Sequence, residues 1–155
     1  KKFGFSATCY IVSNNIGKSN IWDLEKKITQ RPLMTKNEIF EWINLGMDIG
    51  AHSMTHIDLT SISNSDTLKE VRSCKLDLEE MFQLRISDFC YPYGKFNDSV
   101  HSIVKSAGYQ SATTMIRGRA NSGSEKLLLP RIPVNYRTLP YLFILKILTK
   151  YEDRR

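Results

Sequence analysis

Residues 5–12 carry mostly aromatic and β-branched side chains and run into Ser13-Asn14-Asn15-Ile16-Gly17. That is the pattern of a buried strand emptying into a loop. Thr35 with Glu38 three residues on is a capping-box pair, and Ile39, Phe40 and Ile43 then recur at helical spacing up to Gly46, predicting a helix of about ten residues. Met47-Asp48-Ile49-Gly50-Ala51 is a short run that crosses a sheet with small residues and delivers His52 to its far end. Asn64-Ser65-Asp66 caps a longer helix reaching Leu84, with Leu68, Val71, Leu78 and Phe82 on its inner face. Residues 86–91 read as the next strand, which Pro92-Tyr93-Gly94 stops. Asn97-Asp98 caps a third helix whose Val100, Ile103, Val104 and Ala107 are apolar and which Gly108 closes, and residues 109–114 are again strand-like.

Strand and helix therefore alternate at least three times, which predicts parallel βαβ units with right-handed crossovers and an α/β fold. After Arg117 the pattern weakens. Residues 118–126 form a polar loop, residues 127–134 an extended segment punctuated by Pro130 and Pro133, and residues 136–150 a last helix before a basic tail. That helix either packs on the core or lies on a membrane surface, with Leu142, Phe143, Leu145, Ile147 and Leu148 beside Lys146 and Lys150. There is no internal repeat, and residues 1–155 read as one domain.

Composition changes this picture little. With 41% hydrophobic and 25% charged residues the chain is an ordinary globular domain, not a disordered, collagen-like or disulfide-scaffold protein. The 22 basic against 16 acidic residues leave a formal charge of +6. They are scattered apart from the last few, as on a solvated surface rather than a nucleic-acid face. Cys9, Cys74 and Cys90 are odd in number and widely spaced, with neither a disulfide framework nor a structural zinc site in their pattern. Lys1-Lys2-Phe3-Gly4-Phe5 passes straight into alternating polar and apolar residues and does not read as a signal peptide. Residues 139–148 are the most apolar stretch, but they hold Pro140 and Lys146 and are too short for a membrane span, which needs about twenty.

In parallel α/β folds the chemistry gathers on loops at the C-terminal ends of strands. Two such loops stand out here. In His52-Ser53-Met54-Thr55-His56 the histidines are four residues apart, so one helical turn after the strand would aim both imidazoles at one point, as a divalent metal requires. Histidines at that spacing also cap loops or sit on surfaces. Tyr91-Pro92-Tyr93-Gly94 is by itself a turn, yet a turn at a strand end also points backbone N–H groups toward a pocket, where they can stabilise an oxyanion. His101 falls within the third helix and reads as a half-packed helical residue.

Together these segments resemble the polysaccharide deacetylase family, the NodB-homology carbohydrate esterases. Gly50-Ala51-His52-Ser53-Met54-Thr55-His56 is similar to its second motif and Phe89-Cys90-Tyr91-Pro92-Tyr93-Gly94 to its third. Residues 2–12, from Lys2 and Phe3 onward, are similar to the family's second strand, and Ala107-Gly108-Tyr109 with Ala112-Thr113 to the segment after the third motif. The resemblance implies a distorted (β/α) barrel that removes acetyl groups from the N-acetylated sugars of a polysaccharide. It implies a divalent metal, zinc in the first instance, held by His52, His56 and an aspartate, with a second aspartate as general base. The backbone N–H of Tyr93 matches the oxyanion donor, and Tyr91, Pro92, Tyr93 and Gly94 would line the sugar groove. The resemblance implies a cell-surface or secreted polysaccharide as the polymer, and leaves the location of the parent protein open, the cell envelope among the alternatives.

The departures from the family pattern are equally specific. Its first motif, an Asp-Asp strand supplying the base and third ligand, would lie before the residue 5–12 strand, where only four residues stand. The expectation is an N-terminally incomplete barrel, lacking the first strand and helix, that is inactive on its own. Such barrels usually need about 200 residues or more. Self-association or a rearranged N-terminal region would then cover the exposed sheet edge. Cys90 stands where many members carry an arginine, and no histidine follows His101 to supply the family's late Leu-x-His motif. Arg131, in Leu129-Pro130-Arg131-Ile132-Pro133, is a candidate replacement polar group and substrate contact, or an ordinary surface arginine. Asp58 is the nearest stray carboxylate to His56, while Asp48 and Asp88 fall toward the barrel's middle or outside. These features favour the biofilm-polysaccharide type of deacetylase. The alternative is a non-catalytic carbohydrate-binding or structural relic of the same fold.

Overall fold

The computed structural model describes residues 4–154. Lys2 and Phe3 of the proposed second strand, and Arg155 of the basic tail, lie outside the described residues. Five parallel strands, β1 (Thr8–Ile11), β2 (Asp48–Ala51), β3 (Asp88–Cys90), β4 (Ser111–Arg117) and β5 (Leu129–Arg131), form one sheet in the order in which they occur in the chain. Sequential order is the winding of a (β/α) barrel, because a doubly wound sheet reverses its strand order. The sheet is not closed: among the described residues β1 and β5 are its edges.

Helices α1 (Lys36–Asn44), α2 (Asn64–Phe82) and α3 (Asp98–Ser106) link the first four strands, and α4 (Pro140–Leu148) follows β5. Their starts are set by local chemistry. The Thr35 side chain accepts from the Glu38 N–H while the Glu38 carboxylate accepts from the Thr35 N–H, a complete capping box. The Asn97 side-chain oxygen accepts from the Val100 N–H at 2.9 Å. On α2 the cap is Ser63, one residue before the run expected to cap it, and its hydroxyl accepts from the Asp66 N–H.

The core lies between the sheet and α2 and α3. Thr67, Val71, Cys74, Leu78 and Phe82 form the buried stripe of α2. Leu68, expected on that stripe, is 38% exposed. The stripe is rotated by the small residues Thr67 and Cys74, which let the helix approach Leu59 and β1: the Thr67 hydroxyl donates to the Leu59 carbonyl and the Cys74 thiol to the Ile11 carbonyl. Cys9, Cys74 and Cys90 are all free thiols.

Two further expectations are corrected. The residue 109–114 strand begins at Ser111 instead, because Tyr109 turns its ring into the core and donates its hydroxyl to the Val71 carbonyl at 3.0 Å. The last helix does not pack on the core. No residue of α4 is buried, and Tyr141 and Leu148 are 59% and 72% exposed. No helix among the described residues is long and apolar enough to cross a membrane.

Candidate metal and substrate site

Ala51 of β2 pairs with Phe89 of β3, which sets the next residue, His52, level with Cys90. The His52 Nδ1 accordingly lies 2.6 Å from the Cys90 carbonyl oxygen. A carbonyl only accepts, so Nδ1 carries the proton and Nε2 keeps its lone pair for a ligand. Burial, aided by the nearby His56 and Arg131, pushes the His52 pKa down to about 4 in spite of that bond. The ring is therefore neutral at pH 7, the form that binds a metal cation.

The chain then makes an irregular turn in place of the expected helical one. Ser53 and His56 both take left-handed φ values, 61° and 63°, a conformation that costs a non-glycine residue about 1–2 kcal/mol. Ser53 compensates directly: it is fully buried, and its hydroxyl accepts the His56 N–H at 3.0 Å. The turn after β1 adds two backbone bonds, from the Ser13 N–H to the Ser53 carbonyl and from the Asn14 N–H to the Met54 carbonyl.

The two imidazoles do converge, with ring centroids 4.6 Å apart and planes at 86°. His56 is buried, which lowers its pKa, and its Nδ1 makes no hydrogen bond. Two neutral rings facing one another, one with an unpartnered buried nitrogen, suit a divalent cation of the zinc type as part of its shell. Among the described residues no group of three His, Cys, Asp or Glu side chains completes it. Asp58 is committed elsewhere, to the Lys95 ammonium and to the N–H and hydroxyl of Thr60. Asp48 and Asp88 begin β2 and β3, at the end of the sheet opposite the histidines, and Asp88 accepts from the Ser111 hydroxyl. His101 faces Glu125 at 3.9 Å, on the α3 side of the sheet.

Of the third-motif residues, Tyr93 reaches the site. Its ring meets His56 edge-on at a centroid distance of 4.7 Å, and its φ of 57° turns the chain sharply there. Tyr91 and Pro92 are buried. The Tyr91 hydroxyl donates to the Leu127 carbonyl at 3.0 Å, so this side chain braces the turn from inside and does not face a groove. Gly94 has φ +66°, and a Cβ there would lie 2.5 Å from the Met115 side chain. Arg131 donates from Nε to the Thr114 carbonyl at 2.6 Å, and its charge is felt at His52.

Sequence reasoning missed the segment that covers the histidines. Trp22, in a 3-10 turn at Ile21–Asp23, stacks on His56 at 4.4 Å and 15°. The Lys26 ammonium lies 3.8 Å from the Tyr93 ring centroid and 3.7 Å from Asp23. A cavity of about 890 Å³ opens here, lined by Trp22, Lys26, His56, Asp58, Tyr93 and Lys95 among others. A second, of about 360 Å³, reaches Tyr10 and His52 from the other side of Trp22. The available signal was length: a connection of more than twenty residues from β1 to α1 is unusual in a compact domain, and it leaves from the end of the sheet where sites form.

A family model described as polysaccharide deacetylase matches residues 1–112. A poly-beta-1,6-N-acetyl-D-glucosamine N-deacetylase of Staphylococcus aureus is 22% identical over 144 residues, covering 87% of this chain and 47% of the relative. A crystal structure of a polysaccharide deacetylase from Bacillus cereus is 27% identical, with a TM-score of 0.76 over 92% of this chain and 42% of that one. A Streptococcus pyogenes deacetylase solved in complex with acetate shares the fold at 21% identity, with a TM-score of 0.80 over 94% of this chain and 60% of that one. The chain thus spans about half the length of the relatives it matches.

Proposed function

The chain belongs to the polysaccharide deacetylase family, and from that premise we propose that it carries the histidine half of the metal site of an enzyme hydrolysing the acetamide group of N-acetylated sugars in a polysaccharide. The observation that carries this reading is the edge-to-face pair of His52 and His56 at the C-terminal end of β2, with the Cys90 carbonyl fixing the His52 tautomer. A divalent cation, zinc in the first instance, would be held by these two rings and would supply Lewis acidity toward the amide carbonyl.

The chain's own residues have separable tasks. His52 and His56, both kept neutral by burial, present lone pairs without first having to lose a proton. The Tyr93 backbone N–H is the proposed donor to the tetrahedral oxyanion, on a turn anchored by Tyr91 and Leu127. Trp22 and the Tyr93 ring pack on His56 at the wall of the cavity and offer apolar faces of the kind a sugar ring packs against. The general base and third ligand are carboxylates in the family, and no described carboxylate joins the histidines. Acetyl hydrolysis is therefore proposed for the whole protein, and these 155 residues alone are expected to be inactive. The relative acting on poly-beta-1,6-N-acetyl-D-glucosamine makes that polymer class the first substrate to try. Self-association through β1, an edge of the sheet among the described residues, belongs to the same proposal, and light scattering measures it.

The test is zinc titration of the chain beside His52→Ala and His56→Ala, with an acetate-release assay on N-acetylglucosamine oligomers. The expected result is binding that both substitutions abolish, and no turnover. Zinc binding that survives both substitutions would remove the assignment. Turnover by the chain alone would show that its base lies within these residues.

A further inference from the structure

We propose that Glu70 of α2 is a positioning residue for the metal-ligand turn, its carboxylate setting how far His56 reaches toward His52. The inference rests on the metal reading above for the identity of the ligand, but not for the positioning itself. Glu70 Oε2 accepts two successive backbone N–H groups, from Met54 at 2.9 Å and Thr55 at 3.0 Å, and Oε1 accepts the Thr55 hydroxyl at 2.8 Å. Successive N–H groups turned to one side make an anion-binding concavity, and bonds from them to a carboxylate are about twice as strong as neutral ones.

The geometry explains why the turn needs this clamp. Its first residue is fixed twice, by the His52 N–H to the Ile11 carbonyl at 2.9 Å and by the ring to Cys90. Four residues later His56 must sit in a left-handed conformation, with a second left-handed residue, Ser53, between them and no glycine to absorb the strain. Relaxing either residue toward an ordinary φ would swing the His56 imidazole away from His52. Met54 and Thr55 lie between the two strained positions, and gripping their N–H groups holds both at once. The clamp is itself rigid: Glu70 adjoins Val71, which is fully buried, and Cys74 one turn on is fully buried as well. A carboxylate fifteen residues away on a helix locked into the core thus sets the spacing of the ligand pair.

Glutamine in this place keeps the design, since its amide oxygen accepts the two N–H groups and its NH₂ donates to the Thr55 hydroxyl. Alanine deletes it. The experiment compares the full 155-residue chain with Glu70→Ala, Glu70→Gln and Thr55→Val, recording imidazole ¹⁵N spectra without metal and then zinc affinity. The expected result for Glu70→Ala is a shift of the His56 ring signals, while the His101 ring and the amides of Phe89 and Ala112 stay in place. Zinc affinity falls about 10- to 100-fold, the usual cost of losing an outer-shell partner, and Glu70→Gln restores most of it. Thr55→Val removes one bond of three and shifts the same His56 signals less, which keeps the test open should Glu70→Ala fail to fold. Unmoved His56 signals in both Glu70→Ala and Thr55→Val, or in Thr55→Val when the alanine variant does not fold, would overturn the proposal. So would zinc affinity that Glu70→Gln loses as fully as Glu70→Ala. A parent chain that binds no zinc, yet whose His56 signals move with alanine and return with glutamine, would support the positioning and remove the metal reading.

Discussion

The ring of Tyr10 on β1 lies directly over Gly50 on β2. The two residues are register partners, and a Cβ on Gly50 would stand 2.6 Å from two Tyr10 ring carbons and 2.9 Å from the Asp88 carbonyl oxygen. Glycine is therefore required by space and not by backbone conformation. The contact lets an aromatic ring cross the inside of the sheet two residues before His52, and the same ring reaches toward His52 at a centroid distance of 6.5 Å.

Gly50→Ala is expected to destabilise the chain toward the upper end of the roughly 1–3 kcal/mol that overpacking costs, since the added carbon meets both a ring and a backbone oxygen. For a domain of this size that lowers the thermal midpoint by about 4–10 °C, read by circular dichroism. Gly108→Ala is the control. Its φ of +79° carries the left-handed cost of about 1–2 kcal/mol, but nothing lies within 4 Å of the added carbon. Equal losses in the two variants would show that the Tyr10 contact is not tight.

The low pKa of His52 makes stability pH-dependent in a defined direction. In the folded chain the ring titrates at about 4, against 6.5 for the free side chain. Between those values the unfolded chain takes up a proton that the folded chain refuses, so stability falls as the pH drops through the window and levels off below it. The loss is on the order of 3 kcal/mol. Denaturant melts of the metal-free chain from pH 7.5 to 4 are expected to show it, and His52→Gln to remove most of the slope. An unchanged slope in that variant would assign the effect to other groups.

What was legible in the sequence and what was not divides by distance along the chain. The Thr35 and Asn97 caps were readable because donor and acceptor are three residues apart. His52 is legible as a strand-end residue because the short run before it crosses the sheet within five residues. The spacing of His52 and His56 points to convergence through a helical turn, because no glycine or proline marks Ser53 and His56 as the left-handed residues that bring it about. The stacking of Trp22 on His56 spans 34 residues, and Glu70 holds a turn 15 residues away. Neither leaves a periodic trace. Tyr91 is the opposite case: the resemblance puts it in the groove lining, whereas the fold buries it and turns its hydroxyl to the Leu127 carbonyl, 36 residues along the chain.

Trp22 gives a spectroscopic handle on His56. Its indole lies flat on the imidazole at 4.4 Å, and a protonated imidazole quenches an indole in contact with it. Burial lowers the His56 pKa from 6.5, so tryptophan fluorescence is expected to drop on acidification with a midpoint below that value. Trp42, whose indole N–H donates to the Asp48 carbonyl at 2.8 Å, supplies a constant background. His56→Ala is expected to abolish the titration and Trp42→Phe to preserve it. A titration retained in His56→Ala would mean that the stack does not hold in solution.

The attachment of α4 rests on one buried carboxylate. Glu152 is fully buried and pairs with the Lys146 ammonium, with Arg117 at 3.8 Å from its other oxygen. Lys146 in turn donates to the Pro133 carbonyl at 3.0 Å, tying the helix to the segment after β5. No residue of α4 is buried, so little apolar packing backs up this link. Glu152→Gln leaves the Lys146 ammonium, on a side chain only 12% exposed, without a counter-charge, and removing one partner of a buried pair costs about 3–5 kcal/mol. Because the sheet does not depend on this link, the loss is expected as local release. Trypsin should then cut faster at Arg137, Lys146 and Lys150, while the thermal midpoint of the sheet barely moves. Replacing both partners with apolar residues, Lys146→Met with Glu152→Leu, is expected to restore resistance at Arg137 and Lys150, since such swaps are often neutral or stabilising. Cleavage in Glu152→Gln no faster than in the parent would show that apolar contacts, not the ion pair, hold the helix.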